Sequence, residues 1–181
     1  MRWEGLFADL DAQFAAEGRL ERDAEVAERT RRERALVTLG SRLSAARGER
    51  VSLRLAGGVT LIGPLLDLGS DWLLVRGLPA DRETLVPLRA LRGVEGLPAR
   101  AAGSDTARRF GLGSALRTLS RDRATVAVAD LDGFVRTGTI DRVGADFLDL
   151  AEHPVGEARR DGNVRATLAL PVEALVSVTA V

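Results

Sequence analysis

Apolar positions follow two different periods along the chain. Over the first 47 residues Trp3, Phe7, Leu10 and Phe14 recur at spacings of four, three and four, which gathers them on one face of a helix. Gly18 ends that stripe, and from Leu20 the stretch ERDAEVAERTRRERA is nearly all charged. Glu25 to Arg29 and Glu28 to Arg32 stand at the i,i+4 spacing, where a pair adds about 0.3 kcal/mol to an exposed helix. The segment reads as a solvated helical rod, and the acids interleaved in RTRRER argue against a nucleic-acid arm. From Arg50 the helical period gives way to short β-like runs: RVSLRLA, a Gly57-Gly58 turn, VTLIGPLLDLG, DWLLV, TLVPL and LRGVEGL. Five strands are predicted within about fifty residues, the second bent sharply at Gly63 and Pro64.

The same pattern returns later. GSDWLLV at Gly69–Val75 is matched by GADFLDL at Gly144–Leu150, and one offset of 75 carries Gly58 to Gly133, Gly63 to Gly138, Asp71 to Asp146 and Trp72 to Phe147. Beyond these anchors Pro87 aligns with Pro171 at an offset of 84. The nine additional residues fall in AEHPVGEARRDGNVRA, a polar stretch with Gly, Pro and Asn that reads as a surface loop. The lead-in is duplicated too, LGSRLSAARGERV before the first copy and LGSALRTLSRDRATV before the second. The unit is a short helix followed by five strands, present twice.

Composition narrows the class. The 181 residues are 45% hydrophobic and 29% charged, which suits a folded chain able to bury a core. All 26 basic residues are arginine and none of the residues is cysteine, so disulfides and thiolate metal sites are excluded, consistent with a cytoplasmic location. No apolar run approaches the roughly 18 residues that would cross a bilayer, and acids interrupt MRWEGLFADLDAQFAAE where a signal peptide needs a continuous apolar stretch. Acids and bases balance at 26 each, yet unevenly. Residues 99–123 hold six arginines against two aspartates, a net of +4, while residues 124–181 hold nine acids against five arginines, a net of −4.

The five-strand unit, with ERVSLRLAGGVTLIGPLLDLGSDWLLV around a bent glycine strand and LVPLRALRGVEGLP as the closing pair, resembles the Sm-like fold and in particular the bacterial RNA chaperone Hfq. It is also similar to other small SH3-like barrels. The whole chain resembles a family of uncharacterised proteins from high-GC Gram-positive bacteria that begin MRWEGLFADL. The resemblance implies a mainly β fold with α: an N-terminal helical segment (residues 1–47), a first five-stranded Sm-like barrel (48–98), a basic linker with a helix (99–123) and a second barrel (124–181), each barrel preceded by a short helix. It also implies RNA or another nucleic acid as a partner. Trp72 and Phe147 sit near the position of the Hfq aromatic that stacks on RNA, but where that family has a tyrosine, lysine and histidine this chain has Pro87, Leu88, Arg89 and Pro171, Val172, Glu173. Arg89 alone could replace a basic contact, and barrel core is the stronger reading for the two aromatics.

Catalytic chemistry finds no support. The lone histidine, His153, falls in the inserted loop and reads as a surface residue; Asp71 and Asp146 repeat one another after Gly-small pairs, as turn-forming residues do; and GLGSAL lacks the lysine and preceding strand of a phosphate loop. No catalytic residue, metal or cofactor is expected. Two non-enzymatic readings remain. Arg108, Arg109, Arg117, Arg121 and Arg123, with Arg89, could grip phosphates, or the chain could be an interaction scaffold whose Trp3, Phe7, Leu10 and Phe14 stripe holds a homodimer together. The arrangement of the arginines separates them: convergence on one exposed face favours nucleic acid, and neutralisation by the acidic second repeat favours the scaffold.

Overall fold

The computed structural model describes residues 24–32, 34–99, 101, 109–157 and 159–181, and the chain divides into two units between Thr38 and Leu39. In the first unit residues 24–32 are helical, and Arg32 meets Glu28 at 3.2 Å, one of the two i,i+4 pairs expected of the rod.

The second unit is mainly β. A short helix (Leu39–Ala45) leads into β1 (Arg50–Leu55), β2 (Thr60–Leu68), β3 (Trp72–Gly77), β4 (Arg82–Pro87) and β5 (Leu91–Glu95). A second helix (Leu112–Arg121) leads into β6 (Thr125–Asp130), β7 (Val135–Val143), β8 (Phe147–Glu152), β9 (Ala166–Pro171) and β10 (Leu175–Ala180). All pairings are antiparallel, and the strands form a single ten-stranded sheet in the order β5-β1-β2-β3-β4-β10-β6-β7-β8-β9. This corrects the expectation of two tandem five-stranded barrels: the sheet is continuous through both repeats and its ends, β5 and β9, do not meet.

Within that sheet the duplication holds at the level of single residues. Val51 opposite Gly63 becomes Val126 opposite Gly138, and Trp72 opposite Pro87 becomes Phe147 opposite Pro171. The bulge between Leu65 and Asp67 returns between Ile140 and Arg142. The bend of β2 and β7 has a steric cause. A Cβ on Gly63 would lie 1.8 Å from the Arg76 carbonyl oxygen, and one on Gly138 would lie 2.1 Å from that of Ala151, so each long strand folds across its neighbour where only glycine fits. The Gly57-Gly58 turn is also as expected, with φ of 70° and 74°.

The sheet is continuous because the two cores trade residues. One cluster, with Leu43, Leu53, Leu65 and Leu73 from the first repeat, also takes in Ala129 and Val176 from the second. The other, with Leu116, Ile140, Leu148 and Leu150, takes in Trp72 and Leu85 from the first. Two repeats of this size each bury little surface alone, and sharing side chains across β4 and β10 joins them into one hydrophobic unit. At that seam Leu85 pairs with Val178 and Thr84 with Thr179, whose hydroxyls are 3.1 Å apart.

Candidate functional site

The seam between the repeats gathers most of the residues that carry chemistry. Trp72 starts β3 and is only 4% exposed; its indole N–H donates to the Phe110 carbonyl at 3.1 Å, and the two rings lie 5.5 Å apart. Space for the indole comes from Gly69, where a Cβ would stand 2.1 Å from the ring nitrogen. Asp71 reaches the same helix: its carboxylate accepts the Leu112 backbone N–H at 2.7 Å, so the first repeat caps the helix that opens the second. The expectation of a purely local turn residue is therefore incomplete. Around this contact Trp72, Leu74, Leu85, Phe110, Leu119 and Val178 line a groove of about 230 Å³.

Arg89 acts at the other end of the seam. Its guanidinium donates to the carbonyls of Val172 and Glu173, tying the turn after β4 to the turn after β9. The arginine expected to be able to replace a basic contact is thus engaged within the chain.

The described arginines of the linker have different partners. Arg108 lies outside the described residues, as do Trp3, Phe7, Leu10 and Phe14. Arg109 is exposed. Arg117 and Arg121 are exposed on the helix Leu112–Arg121 and donate within it, to the Ser114 hydroxyl and the Arg117 carbonyl. Arg123 is drawn to the second repeat, where its guanidinium meets the Asp141 carboxylate at 3.2 Å. Asp141 also takes two hydrogen bonds from Arg159, at 2.9 and 2.7 Å. The Arg159 bonds, with the charges of Arg159 and Arg123, hold the Asp141 carboxyl below the ordinary carboxylate value against the opposing effect of partial burial, and the bond to Asp141 in turn raises Arg159. Nothing in the spacing of residues 123, 141 and 159 announced this cluster; the inserted loop brings Arg159 to it.

Next to that cluster, Arg123, Thr125, Thr139 and Arg159 line a polar pocket of about 360 Å³. His153 lies beneath it and corrects the surface reading, being 2% exposed. Its Nδ1 stands 3.0 Å from the Pro154 carbonyl and its Nε2 2.8 Å from the Thr139 hydroxyl. A carbonyl only accepts, so Nδ1 carries the proton, and in the neutral ring Nε2 accepts from Thr139. Both ring nitrogens are engaged, Nε2 holding the start of the inserted loop on β7 and Nδ1 bonding within the loop. Among the described residues no group of three His, Cys, Asp or Glu could hold a metal ion, and no buried side-chain polar atom lacks a partner.

Phe147 repeats Trp72 in sequence but not in surroundings. It is half-buried, with the Arg142 guanidinium 5.2 Å from its ring centre. Trp72 is core, as expected, whereas Phe147, for which core was also the stronger reading, is only half-buried and borders the open end of the sheet. Among the described residues no helix is long and apolar enough to cross a membrane. No protein-family model, curated protein or solved structure matches the chain.

Proposed function

We propose that this chain is a non-enzymatic interaction scaffold made of two small Sm-like units joined side by side, whose task is to bind protein, and not primarily nucleic acid. Each unit is a five-strand set with a bent second strand, opened at one side so that β4 of the first pairs with β10 of the second. The observation that carries the reading is the fate of the arginines. Arg123 is paired with Asp141, Arg89 is spent on the seam, and Arg117 and Arg121 donate within their own helix, so each of these four guanidiniums already has a partner inside the chain. Trp72, one of the two aromatics that could have stacked on bases, argues in the same direction, since it is enclosed between the repeats. The scaffold reading also fits a chain whose acids and bases cancel at 26 each.

An electrophoretic shift with mixed RNA and DNA pools at two salt concentrations tests this. No shift is expected at either. A shift at low salt that Arg117→Ala combined with Arg121→Ala abolishes would replace the scaffold by a nucleic-acid binder, and would show a salt slope reduced by up to about two phosphate contacts.

A further inference from the structure

The seam between the repeats joins two unlike surfaces, and a duplicated chain carries a second copy of each. One surface lies on the β3-β4 side of the first repeat and includes Trp72 and Leu85; the other lies on the β10 side of the second and includes Val178 and Leu112. All four are buried. The sequence offsets assign their counterparts: Phe147 and Ala169 on β8 and β9, and Val94 and Leu39 on β5 and the first helix. These are more open to solvent than the residues at the seam. Leu39 is 50% exposed where Leu112 is 1%, Ala169 is exposed where Leu85 is buried, and Phe147 and Val94 are half-buried.

The two strands concerned, β9 and β5, are the two ends of the sheet, and each presents a row of unpaired backbone donors and acceptors. Edge strands are ordinarily protected by charges or bulges, but β9 reads ATLALP, with no charged residue and no break in its register with β8. We infer that copies of this chain assemble head to tail, β9 of one copy pairing antiparallel with β5 of the next in the register of the internal seam. This rests on the scaffold reading and names a second copy of the chain as the partner.

The register follows from the repeat. Val178 opposite Leu85 becomes Val94 opposite Ala169, and Thr179 opposite Thr84 becomes Glu95 opposite Leu168. Glu95 is exposed and ends β5, where its carboxylate can stay in water. Charge is complementary at the other end. Inside the chain Arg89 donates to the Glu173 carbonyl, and the counterpart of Arg89 is Glu173 itself. Beside the Arg89 carbonyl of the next copy stands Arg92, its Nη1 2.8 Å from that oxygen, so carboxylate meets guanidinium. A heterologous contact of this kind closes into a ring when its rotation divides a full turn and otherwise runs on as a filament.

The test uses the full chain with two exposed substitutions, Ala169→Glu on the β9 face and Leu39→Glu on the β5 face, with Arg92→Glu as a second β5-face variant and circular dichroism to check folding. Light scattering is expected to give the wild type a mass that is a multiple of 19.3 kDa and each variant the monomer mass. Mixing the two variants is expected to give a one-to-one dimer and nothing larger, because each retains the face that the other lacks. A monomeric wild type, variants that keep the wild-type mass, or a mixture that stays monomeric would each overturn the inference. The nucleic-acid shift is read separately, so a monomeric wild type that shifts no RNA or DNA sinks head-to-tail assembly and leaves the scaffold reading standing.

Discussion

Replacing Gly138 by Ala tests the bent strand directly. The new methyl would start 2.1 Å from the Ala151 carbonyl oxygen and 2.8 Å from its carbon, against an ordinary contact of at least 3.4 Å. The obstacle is backbone in a paired strand, Gly138 being opposite both Val126 and Glu152, so no flexible side chain can swing aside. The strands must separate by more than 1 Å, roughly, and overpacking of this kind costs about 1–3 kcal/mol, here toward the upper end. For a chain of this length that lowers Tm by about 6–12 °C. Gly63→Ala, which would meet the Arg76 oxygen at 1.8 Å, is expected to match it, because the two repeats share one register. Gly113→Ala is the control. It sits in the helix Leu112–Arg121, its methyl would meet only the Arg117 guanidinium at 3.6 Å, and the change is expected to stabilise by about 0.5 kcal/mol. Thermal unfolding followed by circular dichroism reads all three. If Gly63→Ala and Gly138→Ala melt with the wild type, the close crossing of β2 and β7 over their neighbours is wrong.

Trp72→Ala should cost about 3–5 kcal/mol in denaturant unfolding, and Phe147→Ala roughly 1 kcal/mol in dilute solution, since only the first ring is enclosed. Equal losses would contradict the shared core. Asp71→Ala is expected to cost about 1 kcal/mol through the lost helix cap; Asp146→Ala, whose carboxylate makes no hydrogen bond among the described residues, should be near neutral by the same assay. Asp141 has a lowered pKa, so its stabilisation is complete above the ordinary value of 3.8 and is lost as pH falls through the lower folded value. The stability difference between wild type and Asp141→Asn should therefore be constant near neutrality and shrink only on acidification below 3.8; a difference that instead changes near neutrality would show that the Asp141 carboxyl is not the group responsible.

The strands, the repeat and the bends were legible in the residues alone. Alternating apolar runs bounded by glycine and proline are a local signal, and β1 to β5 lie within a few residues of the runs that predicted them. Duplicated glycines at a single offset carried the bend of β2 to β7, because the need for a missing Cβ is a property of one position. Trp72 was legible as core because the basic partners of an RNA-stacking aromatic are missing around Pro87 and Leu88, but which core was not: it packs into the other repeat's cluster. Only the tertiary structure decided that, because a strand's unpaired side carries no mark of whether it will meet its own barrel or its neighbour. Pairing β4 with β10 turned two expected barrels into one open sheet, changed Asp71 from a local turn residue into the cap of a helix 41 residues away, and placed Arg89 on the Glu173 carbonyl. The burial of His153 and the meeting of Asp141 with Arg159 were equally hidden, since the inserted loop's path depends on long-range contacts that periodicity does not encode.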